Sequence, residues 1–159
     1  MARVYDFWLD GKDNYAADRE VARKLIAVAP DLARDAGAHR RILHRGVRFL
    51  VEQGVRQFLD IGSGLPTAQN THQVAQAVAA DSTVVYVDND PIVLAHARAL
   101  LTSDPQGATA YVDADLRRPA EILADPALRA TLDLGRPTAL ILVAVVHFLP
   151  DSDEPYEIV

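Results

Sequence analysis

The sequence predicts an α/β fold, a parallel sheet with helices on both faces, preceded by a helical segment. Three observations carry that expectation. Short apolar runs, several of them β-branched, recur at Phe58-Leu59-Asp60-Ile61, Thr83-Val84-Val85-Tyr86-Val87, Ala108 to Val112 and Thr138 to Phe148. Helix-period stretches separate them, so successive strands need crossover connections and run parallel. Finally, 159 residues with 50% hydrophobic and 24% charged content suit one domain that buries a core without disulfides.

From Ala16 to Ala29, Val21, Ala22, Leu25, Ile26 and Ala29 recur at helical spacing, with Asp18 and Glu20 near the start where acids favour the helix dipole. A second helix is expected from about Asp31 or Ala38 to Gln53, presenting Ile42, Val47, Leu50 and Val51 inward and stopping at Gly54. Residues 1–54 thus form an N-terminal helical segment, and residues 55–159 four strands with crossover helices.

Phe58 to Ile61 is apolar and is punctuated at once by Gly62 and Gly64, as a buried strand entering a tight turn would be. Asn70 or Thr71 can cap a following helix that buries Val74, Ala75 and Val78. Thr83 to Val87 has the composition of an interior parallel strand. Asp90-Pro91 supplies an N-cap and a proline at the first helical position, and the helix continues through Leu94, Ala97 and Leu101. Ser103 to Gly107 reads as a turn and Ala108 to Val112 as the third strand. Pro119 to Leu132 holds at least one short helix, and after Gly135-Arg136-Pro137 the run Thr138 to Phe148 is the fourth strand. This order is that of a Rossmann-like sheet.

Ligands in such sheets bind beyond the carboxyl ends of the strands. Each of those ends carries polar chemistry here: Asp60-Ile-Gly62-Ser-Gly64, Asp88-Asn89-Asp90, Asp113-Ala-Asp115 and His147. Glycines at 62 and 64 let the backbone turn and approach a ligand closely. Asp88 lies one β-α-β step further on, where a carboxylate accepts both hydroxyls of an adenosine ribose.

A dinucleotide fingerprint needs a third glycine three residues after the second, but Leu65-Pro66-Thr67 stands there. No Gly-Lys-Ser/Thr follows the glycines either, so a Walker-type phosphate loop is absent. Asp60, ahead of the glycines, suits the ammonium or sulfonium of S-adenosylmethionine better than it suits two phosphates. The residues therefore favour that cofactor over NAD.

Bulk properties narrow the remaining classes. Residues 1–56 carry 11 Lys and Arg against 8 Asp and Glu, and residues 57–159 carry 5 against 14. An acidic second half repels a phosphate backbone, so nucleic acid is not an expected partner; Arg40, Arg41, Arg45 and Arg48 are the only local basic set and read as a solvated helix face. With no cysteine there are no disulfides or thiolate sites. The longest apolar run, Ala139 to Val146, is too short to cross a bilayer, and the N-terminus has no signal-peptide core. The expectation is a cytoplasmic protein without a membrane contact. The five histidines make no ligand pattern with nearby acids, so no metal is expected.

Asp60-Ile-Gly62-Ser-Gly64, the acidic end of Val84-Val-Tyr-Val-Asp88-Asn-Asp90-Pro91, and Asp113-Ala-Asp115-Leu116 resemble the cofactor motifs of class I S-adenosylmethionine-dependent methyltransferases. More narrowly, Ala2-Arg-Val-Tyr-Asp6, Gly11-Lys-Asp-Asn14, Ala17-Asp-Arg-Glu20, FLDIGSGLPT and HFLPD resemble an actinobacterial group of S-adenosyl methyltransferases, over essentially the whole chain. The resemblance implies a transferase that moves a methyl group from S-adenosyl-L-methionine to a small-molecule acceptor. By that implication Gly62 and Gly64 line the methionine part of the cofactor, and Asp60 lies near its ammonium, directly or through water. Asp88 holds the ribose, with Asn89 beside the adenine. Asp115 reaches the adenine amino group, with Asp113 as its rival, and Leu116 offers a backbone amide to the ring.

Class I methyltransferases normally have seven strands, and this chain stops after the fourth. The expectation is a truncated sheet whose fourth strand is covered by a further C-terminal segment or by a second copy in a homo-oligomer. His147 is the candidate general base for a poorly nucleophilic acceptor, with a rim or packing role against Phe148 as the competing reading. Tyr5, Asp13, Asn14 and Tyr15 form a polar-aromatic cluster that either covers the ligand or caps and packs helices. Two other functions stay open on the residues alone: a non-catalytic adenosine-cofactor-binding module and, more remotely, an NAD-dependent oxidoreductase.

Overall fold

A computed structural model describes residues 1–66, 69–100 and 107–158. The chain opens with three helices, α1 (Ala2–Trp8), α2 (Ala16–Val28) and α3 (Leu32–Glu52). The alternating part follows: β1 (Gln57–Ile61), α4 (Thr71–Gln76), β2 (Thr83–Asp88), α5 (Pro91–Leu100), β3 (Thr109–Asp113), α6 (Pro119–Ala124), α7 (Pro126–Thr131) and β4 (Thr138–Ile141). Two 3-10 turns, Val146–Phe148 and Asp151–Asp153, lead to a last helical turn, α8 (Pro155–Ile158).

All four strands are parallel, in the order β3-β2-β1-β4. Because side chains alternate along a strand, the register assigns the two faces. Phe58, Val84 and Tyr86 face one way and pack against Leu43, Val47 and Val51 of α3 and Val74 and Ala75 of α4. Leu59, Ile61, Val85, Val87 and Val112 face the other way, onto Ile122 of α6 and Leu128 of α7. Asp60 sits on the first of these faces, in line with Tyr86.

Local chemistry explains the helix starts. Asp90 accepts a hydrogen bond from the Ile92 amide at 2.9 Å, and Pro91 occupies the first helical position. Asn70 and Gln73 close a reciprocal capping box on α4. The stretch expected to hold at least one helix between Pro119 and Leu132 holds two, because Asp125 leaves helical geometry and caps α7 through the Ala127 and Leu128 amides.

Several expectations are corrected. Helix α1 was not foreseen; its apolar face is short, and it is held by α2 and α3 and by an edge-to-face contact of Trp8 with Tyr5, ring centroids 6.4 Å apart. The fourth strand ends at Ile141 rather than Phe148, because its ladder partner β1 runs out: Asp60 pairs with Ile141, and two residues later the chain enters the Gly62 turn. Ile42 is exposed and its neighbour Leu43 is buried in its place, one and two turns before the buried Val47 and Val51. Val78, beyond the end of α4, is also exposed. Thr67, Leu101 and the turn expected over 103–106 lie outside the described residues.

Candidate functional site

The first rim element is the glycine turn. Gly62 has φ +72° and Gly64 φ +66°, conformations that L side chains rarely adopt. Gly62 donates its amide to the Val87 carbonyl at 2.8 Å, and a Cβ there would stand 2.5 Å from a Val145 methyl. Among the described residues no atom lies within 4 Å of where a Gly64 Cβ would stand. Thus Gly62 is needed for close packing of the chain on itself, while no such contact is seen at Gly64 among the described residues.

Asp88, at the end of β2, ties the turn down. Its Oδ2 accepts from the Gly64 amide and its Oδ1 from the Asp90 amide, each at 2.9 Å. An ionised carboxylate has about four acceptor sites, so these two bonds leave capacity for ribose hydroxyls. The residue singled out for a ligand is therefore also the clasp between the glycine turn and the start of α5.

Asp60 is buried, and its Oδ2 accepts a 2.6 Å hydrogen bond from the Thr71 hydroxyl. Burial pushes its pKa up to about 6; the Thr71 bond and the positive charge of Arg40 pull it down, and the negative charge of Asp88 adds a further rise. The influence of Asp88 on Asp60 places the two carboxylates in one electrostatic neighbourhood at the glycine turn. Around Asp60 the sheet face is polar-aromatic. Tyr86 stacks on Tyr111 with centroids 4.9 Å apart, and its hydroxyl accepts from the His72 amide at 2.8 Å and pairs with His72 Nδ1 at the same distance.

Asn89 and Asp115 also come together, with Asn89 Nδ2 3.5 Å from Asp115 Oδ2. The sequence did not single out Arg117, two residues on, whose Nε lies 3.0 and 3.1 Å from the two Asp115 oxygens. That guanidinium holds the Asp115 carboxyl down to about 2. Any adenine amino group at Asp115 therefore shares the carboxylate with Arg117. Leu116 is buried in the second core, and Asp113 is exposed in the ladder opposite Asp88.

His147 is exposed on the 3-10 turn, its ring 4.1 Å from that of Phe148. It follows the fourth strand by six residues rather than ending it, yet it stands only two residues from Val145, which packs against Gly62. The N-terminal cluster is largely structural. Buried Asp6 accepts from Asn14 Nδ2 at 2.8 Å and from the Asp13 amide at 3.0 Å, a Cβ on Gly11 would collide with the Asp6 carboxylate, and Tyr15 is exposed under the Arg3 guanidinium.

Arg40 is the second residue that sequence spacing missed. It projects from α3 to the loop after the glycine turn, where its Nη2 donates to the Gln69 carbonyl at 3.2 Å. A cavity of about 670 Å³ lies at the opposite, amino-terminal end of the sheet, bounded by Arg56, Thr83, Arg129 and Arg136 among others. Its polar groups serve packing: Arg56 pairs with Asp81 at 3.3 Å, and Gln57 spans Asp133 and Thr138. Among the described residues no three His, Asp or Glu side chains converge as metal ligands, and no helix is long and apolar enough to cross a membrane.

A family profile described as S-adenosyl methyltransferase matches residues 1–159. A crystal structure of a DUF574 family protein from Streptomyces avermitilis MA-4680 is 51% identical over 99% of this chain, with a TM-score of 0.95. A second, a protein from Thermobifida fusca YX described as a proposed methyltransferase, is 49% identical over 99% of the chain, with a TM-score of 0.89. The chain spans 60% of the length of each. No curated protein matches it.

Proposed function

The chain belongs to the S-adenosyl methyltransferase family, and from that premise we propose that it binds S-adenosyl-L-methionine at the glycine turn for methyl transfer to a small-molecule acceptor. The observation that carries the reading is the juxtaposition of two carboxylates at the glycine turn: Asp88, which holds the Gly64 amide, and buried Asp60, on which the negative charge of Asp88 acts. Two acids on one rim create a negative potential that favours a cationic ligand and opposes a pyrophosphate. The donor set thus fits the sulfonium compound.

When bound, S-adenosylmethionine supplies an electrophilic methyl group. The chain's own residues bind and orient. Asp88 accepts from the ribose while it keeps the Gly64 amide in place, and Asp60 faces the ammonium, directly or through water. Asn89 and the Arg117-braced Asp115 border the adenine together with the Leu116 backbone. His147 is the candidate base that takes a proton from the acceptor, since its turn is anchored on Gly62 through Val145. Catalysis of this kind asks mainly for alignment and exclusion of water. A cytoplasmic setting agrees with the absence of cysteine.

Titration calorimetry with S-adenosylmethionine, S-adenosylhomocysteine and NAD tests the reading. The expected result is saturable binding of the first two and none of NAD. Binding of NAD alone overturns it. In Asp88→Ala, loss of charged hydrogen bonds to ribose should weaken S-adenosylhomocysteine by about 1.5–3 kcal/mol. An unchanged dissociation constant in a folded variant removes Asp88 from the site. Binding without turnover over a panel of small acceptors would favour a cofactor-binding module instead.

A further inference from the structure

We infer that Arg40, which lies on α3 outside the strand-end motifs, receives the α-carboxylate of an S-adenosyl ligand while Asp60 receives the neighbouring ammonium. The inference rests on the cofactor reading above and assigns the polar end of that same site. An α-amino acid carries both charges on one carbon, so it selects a place where an acceptor and a cation stand side by side. The glycine turn and Asp88 provide amides and an acid but no cation.

The geometry brings the missing charge from a different part of the chain. Arg40 donates to the carbonyl of Gln69, and Thr71, two residues further on, donates its hydroxyl to Asp60 at 2.6 Å. Two residues span at most about 7 Å of extended chain, so guanidinium and carboxylate are tied to the same short loop. That loop is under conformational constraint, for Gln69 has φ +60° without being glycine. Helix α3 is itself braced by α1, whose Tyr5 hydroxyl donates to the Ala36 carbonyl at 3.3 Å.

Charge is consistent with this placement. The positive charge of Arg40 acts on Asp60 and the negative charge of Asp60 on Arg40. A partly desolvated guanidinium binds a carboxylate in a planar, two-point manner that a lysine does not reproduce. Arg40 has other contacts as well, and with five N–H donors it can serve the loop and a ligand together.

The test compares S-adenosylmethionine with its decarboxylated analogue, which keeps sulfonium and ammonium but lacks the carboxylate, by calorimetry on the 159-residue chain. The unaltered chain should favour the carboxylate-bearing ligand by roughly 10- to 100-fold. Arg40→Gln should abolish that ratio by weakening S-adenosylmethionine alone. Arg40→Lys, which keeps the charge and the stem, should narrow it and serves if the glutamine variant does not fold. Equal binding of the two ligands by the unaltered chain overturns the Arg40 assignment and leaves the cofactor reading standing. So does an equal loss for both ligands in a folded Arg40→Gln, the result expected of a purely structural arginine. Binding of neither ligand by the unaltered chain overturns the cofactor reading itself.

Discussion

The Asp60 carboxyl holds its proton to about pH 6 because burial outweighs the help of Thr71 and Arg40, and because Asp88 adds a second negative charge nearby. In the unfolded chain the same group titrates near 3.8. Between those values the folded chain keeps a proton that the unfolded chain has lost. Its contribution to stability is therefore fully present below about pH 3.8 and is lost as pH rises through about 6, a swing on the order of 3 kcal/mol. Ligand binding runs the other way, since an ammonium needs the ionised acid. We expect the melting temperature to fall between pH 5 and pH 7.5 relative to Asp60→Asn, while affinity for S-adenosylmethionine rises over the same interval; parallel melting curves for the two proteins would remove Asp60 as the titrating group. As candidates, Asp60 and Asp88 were legible in the sequence because each lies at the carboxyl end of an apolar run next to turn residues. Arg40 and Arg117 were not. The first acts across a tertiary contact that no local spacing encodes, and its neighbours Arg41, Arg45 and Arg48 gave the whole set the look of a solvated face. The second was only two residues from Asp115, a spacing that carries no signal in an irregular segment.

Among the elements, the glycine turn separates two jobs that one motif performs. Gly62 faces Val145 and Gly64 meets no atom of the described residues within 4 Å, both with positive φ. Gly62→Ala should therefore cost about 2–3 kcal/mol, from backbone strain plus overpacking. Gly64→Ala should cost only about 1–2 kcal/mol, yet intrude where a ligand would approach. Urea titration of both variants checks the order, and equal losses would mean that Val145 yields without resistance. The sequence marked β1, β2 and the start of α5 correctly because each rests on a local rule: an apolar β-branched run, a glycine pair, an Asp-Pro cap. It overran β4 because hydrophobicity does not reveal the length of a partner strand. It missed α1 because seven residues are too few to show a helical period, and the segment is held helical here by packing on α2 and α3.

For the molecule as a whole, the sheet order leaves β4 at an edge, with Leu140 51% exposed on the face whose other strands are covered by α6 and α7. Phe148 and Tyr156 are exposed nearby in sequence. An apolar edge left uncovered among the described residues is a surface for strand pairing, so these 159 residues on their own should self-associate with rising concentration, and Leu140→Lys should suppress it. Light scattering coupled to gel filtration reads the difference, and a strictly monomeric unaltered chain at high concentration would contradict the expectation. The parallel topology that produces this edge was legible from the alternation of strands and helices; the position of β4 beside β1 rather than β3 was not, since it depends on which neighbours share a register. Ahead of the sheet, Trp8 is the only tryptophan in the chain, seated against Tyr5 within the three-helix N-terminal layer. Indole fluorescence consequently watches that layer alone, whereas circular dichroism sums over every helix and strand, and comparing the two signals distinguishes a cap that lifts away first from a molecule that opens all at once.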